Sequence, residues 1–185
     1  MSTRVLDRVE TERLVCERMR RDHADELSVL LLDPRVARTL FPASTRLTDA
    51  MLLASLEEKL EHWARYGFGL WLLRDRATGK MVGRGGLQHT AVEGEEAVEV
   101  AWAVAPERWR EGLATELALA AVDVAFGDLG LEEIVAFTLP ENVASRRVMQ
   151  KAGFAYDRDV ERAGLPHVLY RRRRAETYPT LEVAS

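Results

Sequence analysis

The octapeptide WREGLATE occupies residues 109–116 and joins a predicted strand, about 97–105, to a helix predicted from about 112 to 126. A helix beginning here leaves the N–H groups of its first turn unpaired at the positive end of the helix dipole. Gly112 allows a bound group to approach the backbone closely, and the small Ala114 leaves the first turn uncrowded. The stretch indicates an anion site that would fit a pyrophosphate, with an ordinary strand-to-helix turn as the alternative.

The helix after this loop is apolar on two sides, which predicts that it is buried against a sheet and holds the loop rigidly. One stripe contains Leu113, Leu117, Ala120 and Val124. No Gly-Lys-Ser/Thr sequence follows the loop, so the pattern of nucleotide-hydrolysing P-loops is absent.

The strand before the loop carries a carboxylate among small residues. Alternation puts Val98, Val100, Trp102 and Val104 on one face and Ala97, Glu99, Ala101 and Ala103 on the other. A partly desolvated Glu99 could act as a general base, whereas a strand residue facing solvent is the equally open alternative.

A second polar feature follows the predicted strand 134–139. Asn142 begins a helix that reaches about Ala152, and Ser145 lies one turn further on the same face, so both could bond a ligand at the strand end. Lys151 and its basic neighbours Arg146 and Arg147 could supply charge to a phosphate. The alternative is that Asn142 only caps the helix and the basic residues form a solvated face.

The remaining elements predict an α+β domain. Asp22 is expected to cap a helix that stops before Pro34. Residues 40–44 are expected to form a loop, and Thr48 is expected to cap a helix that reaches about Tyr66. Strands are predicted at about 13–19, 68–74, 81–90, 154–160 and 167–173. The chain thus begins with a pair of helices, continues with antiparallel strands and ends in the order β-α-β-α-β-β. This order predicts one mixed α+β domain.

Composition narrows the class of protein. The 185 residues include 26 Lys+Arg and 30 Asp+Glu, a net charge of −4 that disfavours a nucleic-acid binder and mildly favours a cationic amine as substrate. One cysteine and four scattered histidines predict neither an intramolecular disulfide nor a metal site. The polar N-terminus and the lack of an apolar run of about 18 residues predict a cytoplasmic protein without a membrane span.

In order and spacing, these features resemble the GNAT superfamily of acyl-CoA-dependent N-acyltransferases, in the branch of the ribosomal-protein N-terminal acetyltransferases. The resemblance covers residues 11–174, leaving 1–10 as an N-terminal extension and 175–185 as a C-terminal tail. It is carried by Thr11-Glu12-Arg13-Leu14, Gly67–Trp71, Gly79–Gly83, Glu99–Trp102, Pro106, Trp109, Gly112, Ala114–Glu116, Asn142, Ser145, Lys151 and Gly153-Phe154.

The resemblance implies a three-layer domain whose central, mostly antiparallel mixed sheet is flanked by helices and splays open after the strand ending near Val104 to hold acetyl-CoA. The pantetheine arm would pair with the backbone of Ala103 and Val104, and an N–H near Val104 would stabilise the oxyanion. The other implied cofactor contacts are Trp109, Arg110, Glu111, Gly112, Leu113, Ala114, Thr115, Asn142, Ser145 and Lys151. The branch also suggests a homodimer.

Met149 stands where many relatives have a tyrosine that protonates the departing thiolate, and methionine cannot donate a proton. Ser145 is the nearest matching hydroxyl and is carried as a candidate acid, with Glu99 as the candidate base. The leading hypothesis is transfer of the acetyl group of acetyl-CoA to a primary amine of a protein N-terminus or a small molecule. The alternatives are a non-catalytic acyl-CoA-binding or regulatory module and, less favoured, a nucleotide-binding protein.

Overall fold

One eight-stranded sheet runs through the part of the chain that the computed structural model describes, residues 6–41, 45–162 and 164–174. In chain order its strands are β1 (Arg8–Glu10), β2 (Leu14–Arg18), β3 (Leu70–Asp75), β4 (Met81–Val92), β5 (Glu95–Val104), β6 (Glu133–Thr138), β7 (Ala155–Arg162) and β8 (Leu165–Arg173). Their spatial order is β1-β2-β3-β4-β5-β6-β8-β7, and every pair is antiparallel except β5–β6.

Five α-helices flank the sheet in the described residues: α1 (Ala24–Leu32), α2 (Pro34–Leu40), α3 (Asp49–Tyr66), α4 (Leu113–Asp123) and α5 (Val143–Lys151). Thr48 caps α3 as predicted, because its hydroxyl oxygen accepts a hydrogen bond from the Met51 N–H at 3.3 Å. α4 passes into a π-helical turn, Val124–Asp128. None of the helices in the described ranges combines the length and the hydropathy needed to cross a bilayer.

The helices form two layers, one on each face of the sheet. Leu113, Leu117 and Ala121 of α4 pack in one cluster with Val100 and Val104 of β5. On the other face, residues of α1, α2 and α3 pack with Ala101 and Ala103. The alternation predicted for β5 is therefore confirmed, and so is the three-layer α+β architecture with its mostly antiparallel sheet.

The sheet opens between β5 and β6, as expected. The two parallel strands share a single register pair, Glu99 with Val135. Beyond it β5 runs five residues to Val104, about 16 Å at 3.3 Å per residue, with no partner in β6 among the described residues. Since α4 follows β5 and α5 follows β6, the N-termini of both helices lie at the open end.

The structure corrects one local prediction at the start of α1 and adds a helix after its end. Asp22 does not cap α1, because it lies inside a 3-10 turn, Arg21–His23, that precedes the helix. Pro34 ends α1 as predicted but also begins α2, with the Asp33 carboxylate accepting a hydrogen bond from the Arg35 N–H at 2.8 Å. Proline suits the first position of a helix because the missing N–H has no intrahelical partner there.

The N-terminal extension is also corrected. Residues 8–10 form β1, which pairs with β2, and Val9 is 3% exposed in the core, so the domain begins before residue 11. The predicted loop 40–44 is helical up to Leu40, and its residues 42–44 lie outside the described part of the chain. The predicted tail 175–185 lies outside it as well.

Candidate active site

The loop between β5 and α4 has an unusual backbone. A 3-10 turn, Pro106–Arg108, leaves β5, and the chain then takes positive φ values of 68° at Arg110 and 85° at Gly112. Gly112 is the N-cap of α4, and no side chain caps the helix. The first-turn N–H groups, those of Leu113, Ala114 and Thr115, therefore have no capping side chain and can bind an anion at the open end of the sheet.

Glu116 holds this loop to the N-terminal part of the chain. Its carboxylate accepts hydrogen bonds from the Thr11 hydroxyl at 2.5 Å, the Arg13 N–H at 2.7 Å and the Arg13 Nε at 2.8 Å. Arg13 Nη1 also donates to the Glu111 carbonyl at 2.8 Å. Burial alone would raise the pKa of Glu116, but the hydrogen bonds from Thr11 and Arg13 outweigh it and lower the pKa.

The space in front of Gly112 is open. A Cβ there would meet only Arg13 Nη2, at 3.6 Å, so its constraint is the positive φ and not crowding. The Arg13 guanidinium adds positive charge beside the amides of the loop. An eleven-residue helix without a side-chain cap, a left-handed glycine and a fixed arginine thus fit the pyrophosphate of acetyl-CoA.

Val104 and Trp109 meet where the sheet opens. The Trp109 indole Nε1 donates to the Val104 carbonyl at 2.7 Å, while the ring is 40% exposed. The Ala105 N–H donates to the Val82 carbonyl of β4 at 2.8 Å. Because backbone groups alternate along an antiparallel strand, those of Ala103 also face β4, whereas those of Val104 face the opening. Of the two residues expected to pair with pantetheine, Val104 is the one directed toward it.

Glu99 lies on the α3 side of the sheet, at the single pair that joins β5 to β6. It is 8% exposed, and its Oε2 accepts a hydrogen bond from Gln88 Nε2 at 3.2 Å. Arg162 Nη1 lies 3.5 Å from the same oxygen, and Arg162 Nη2 donates to the Thr90 hydroxyl at 2.8 Å. The guanidinium carbon of Arg162 is 3.9 Å from the centroid of the Phe137 ring. The alternative of a solvent-facing Glu99 is thus wrong.

The second motif divides between the two ends of α5. Asn142 caps the helix, with its side-chain oxygen accepting from the Ser145 N–H at 3.1 Å, and the Ser145 hydroxyl makes no hydrogen bond within the described residues. Lys151 is exposed at the opposite end, about 9 Å from Ser145 at 1.5 Å per residue. The structure therefore places Asn142 and Ser145 near the opening and leaves Lys151 distant from them.

Two other predicted residues have side chains that are engaged within the protein. The Leu113 side chain is 2% exposed in the core, and the Glu111 carboxylate is bound to Arg108 Nε at 2.8 Å. Met149, at the position of the family tyrosine, is 1% exposed and packs in the α4 cluster, where it cannot contact a thioester in the opening.

Four polar residues on the Glu99 side were not predicted: Arg162, which contacts Glu99, and Gln88, Arg84 and Lys59. Gln88 and Arg84 lie on β4 directly across from Glu99 and Ala103, and Lys59 comes from α3. Alternation along β4 predicts the common face of Gln88 and Arg84 once the strand pairing is known. The packing of α3 against that face could not be predicted from the sequence of either element.

Comparison with known proteins agrees with this geometry. The acetyltransferase (GNAT) domain matches residues 13–155. The chain belongs to the GNAT acetyltransferase family, and it is an acetyl-CoA-dependent acyltransferase. YkkB of Bacillus subtilis (strain 168) is 28% identical over 160 residues, which cover 80% of this chain and 93% of YkkB.

Solved structures have the same fold. A GnaT-family acetyltransferase from Bordetella pertussis superposes with a TM-score of 0.76 at 26% identity, covering 89% of this chain and 98% of that one. RimL, a ribosomal L7/L12 alpha-N-protein acetyltransferase in complex with coenzyme A, gives a TM-score of 0.70 at 16% identity, over 88% of this chain and 95% of its own. The second likeness is one of fold alone.

Proposed function

We propose that this protein transfers the acetyl group of acetyl-CoA to a primary amine by direct attack, without a covalent enzyme intermediate. The observation that carries the proposal is the opening beyond the Glu99–Val135 pair, which has the α4 loop at one end and a buried carboxylate at its base. Acetyl-CoA supplies the acetyl thioester. The amides of residues 113–115 and the Arg13 guanidinium would bind its pyrophosphate.

Glu99 and Gln88 are arranged to receive the amine. Gln88 Nε2 donates to Glu99, so Gln88 Oε1 faces elsewhere, and it is buried without a hydrogen-bond donor in the described residues. An incoming amine would donate one N–H to this oxygen and another to the Glu99 carboxylate, which accepts the proton lost as the C–N bond forms. The C–S bond then breaks and the pair of electrons leaves on the CoA sulfur.

Stabilisation of the tetrahedral oxyanion is assigned to the Val104 N–H, because the backbone of this residue faces the opening. Ser145 is the proposed proton donor to the departing thiolate, since its hydroxyl makes no hydrogen bond to a described residue. A thiol pKa of about 8.5 makes the thiolate a fair leaving group, so loss of Ser145 is expected to slow the reaction only moderately.

A non-catalytic acyl-CoA-binding module is the second candidate. It is favoured by the burial of Met149 in place of a tyrosine acid and by the guanidinium of Arg162 beside Glu99. Such a module would bind acetyl-CoA with the same loop but release no free CoA in the presence of amines.

The first test is thermal unfolding with saturating acetyl-CoA, ATP or NAD. Acetyl-CoA alone should raise the midpoint, with about 2.7 kcal/mol of added stability at a hundredfold excess over the dissociation constant. Release of free thiol with a panel of primary amines then separates enzyme from module. Glu99→Gln should lower kcat about a hundredfold with unchanged affinity for acetyl-CoA. Glu96→Gln, an exposed carboxylate on the same strand, is the matched control.

Absence of any shift with acetyl-CoA would overturn the proposal. A Glu99→Gln variant with the pH–rate profile of the wild type would remove Glu99 from the role of general base. Cytoplasmic location and a homodimer are further proposals, which depend on the polar sequence and on the family. Light scattering at several protein concentrations tests the dimer.

A further inference from the structure

A second polar site lies on the α3 side of the sheet. A narrow cleft, open to solvent at its mouth, separates α1 from α3 above β4. Most of its lining is apolar, as with Leu27, Leu52 and Leu56. The charged groups that line it are both cations, Lys59 and Arg84, and the neutral polar ones are Ser28 and Ser55.

Neither cation has an anionic partner in the described ranges. No carboxylate oxygen there lies within 4.0 Å of Lys59 or Arg84, and neither side chain makes a hydrogen bond to a described residue. Arg74 on β3 shows the usual arrangement: its side chain is 24% exposed and pairs with Glu17 at 2.6 Å and Glu26 at 2.9 Å. Partly buried cations without such partners indicate that an anion from outside completes the site.

The electrostatics of the two groups support this interpretation. Burial lowers the pKa of Arg84 to about 10, with the Glu99 carboxylate acting in the opposite direction. Burial also lowers the pKa of Lys59, the charge of Arg84 lowers it further, and Glu58 and Glu99 oppose both effects. The two cations thus interact with each other and with Glu99. A bound anion would remove their repulsion and restore both pKa values upward.

The site lies within reach of the proposed acceptor position. Arg84 pairs with Ala103 and Gln88 pairs with Glu99, so the two cross-strand pairs are four residues apart, about 13 Å between backbones. The long side chains of Arg84 and Lys59 shorten this span. A substrate with its amine at Glu99 and an acid a few bonds away can therefore bridge from one site to the other.

We propose that Lys59 and Arg84 form the subsite for an anionic group, a carboxylate or a phosphate, on the amine substrate. The inference rests on the proposed acetyl transfer and defines its substrate class as amines that carry an acid. It differs from the cationic amine that the net charge of the chain favours. Arg84, with a planar donor fork, suits both acids, and Ser28 and Ser55 can donate further hydrogen bonds.

Matched amine pairs test the subsite. The probes are 5-aminopentanoate against pentylamine for the carboxylate, and 3-aminopropyl phosphate against propylamine for the phosphate. In the wild type, at least one acid should have a kcat/KM about tenfold or more above its neutral partner. Arg84→Gln and Lys59→Met should remove this preference, so that each acid reacts with about the same kcat/KM as its neutral partner. Lys80→Met, an exposed lysine in the β3–β4 turn, is the control.

Binding measurements separate this inference from the proposed function. Calorimetry with the same acids in the presence of CoA should show binding that weakens at least tenfold in Arg84→Gln, whether or not acetyl is transferred. Acetylation of neutral and acidic amines with equal kcat/KM would overturn the subsite and leave the acetyltransferase intact. Arg84-dependent binding of an acid without transfer to any amine would overturn the function and leave the subsite. The two variants should unfold at or above the wild-type midpoint, because each removes a partly buried charge that has no ion-pair partner among the described residues.

Discussion

Arg162 Nη1 lies 3.5 Å from Glu99 Oε2, so a strand from the far edge of the sheet delivers a cation to the candidate base. The guanidinium is held there by the Thr90 hydroxyl and by the face of Phe137. In the proposed reaction Arg162 would compete with the substrate amine for this carboxylate.

Replacing Arg162 should relieve this competition. Arg162→Gln is expected to lower the KM for the amine about fivefold, the effect of an ion pair worth about 1 kcal/mol, with acetyl-CoA affinity unchanged. Arg158→Gln, on the same strand and paired with Glu93, is the control. The KM for the amine is measured by steady-state kinetics at saturating acetyl-CoA. A higher KM together with a lower kcat would mean that Arg162 positions the substrate instead.

Two substitutions at Gly112 distinguish the effect of backbone strain on folding from the effect of the loop on cofactor binding. Gly112→Ala should cost about 1–2 kcal/mol of folding free energy, because its φ of 85° disfavours any Cβ. Gly79→Ala, at a φ of 71° with nothing within 4 Å of the added Cβ, should cost the same. Gly112→Glu, which also brings negative charge to the phosphate site, should raise the dissociation constant of CoA at least tenfold by calorimetry. Equal CoA affinity in Gly112→Glu and the wild type would exclude this loop as the site.

Glu116 should make stability depend on pH. Its pKa is lowered in the folded state, so its stabilisation is fully present above the unfolded pKa of about 4.3 and is lost as pH falls through the folded value. Glu116→Gln should destabilise by about 1–3 kcal/mol at pH 7, and the difference from the wild type should shrink toward pH 3. Urea unfolding at several pH values measures it.

The control for this prediction is Glu132→Gln, whose side chain is 82% exposed beside Arg174. It should change stability by less than about 0.5 kcal/mol. A difference between Glu116→Gln and the wild type that is constant from pH 7 to pH 3 would contradict the assigned pKa direction.

The reactivity of Cys16 measures how often β2 becomes exposed to solvent in the native protein. It is 0% exposed on β2, and burial together with the nearby charge of Glu116 raises the pKa of its thiol to about 12. Because the thiolate is the reactive form, a disulfide reagent at pH 8 should label the native protein at least a thousandfold more slowly than the unfolded chain. A small free thiol provides the reference rate, and prompt labelling of the native protein would refute the assignment.

The features that could be predicted from sequence are those set by neighbours along the chain. Thr48 and Asn142 are caps because a hydroxyl or amide oxygen reaches an N–H three residues later, and β5 alternates because its two faces meet different helices. The helix that begins at Pro34 was not predicted, because one residue both ends the region of one helix and begins the next.

The missed site residues depend on tertiary contacts. Lys59 lies 25 positions before Arg84, and only the packing of α3 on β4 brings them together. Arg162 reaches Glu99 from a hairpin whose position follows from the pairing of β6 with β8. No periodicity within either segment indicates such an approach.

The lone Glu99–Val135 pair also affects how the protein unfolds. The last third of the sheet, β6, β8 and β7, is hydrogen-bonded to the rest through this pair, so it can lose amide protection separately from β1–β5. A ligand that contacts both strands would join the two regions into one cooperative unit. Hydrogen exchange in β6 and β8 should then slow on acetyl-CoA binding by more than exchange in β2 and β3, so that folding cooperativity itself depends on the substrate.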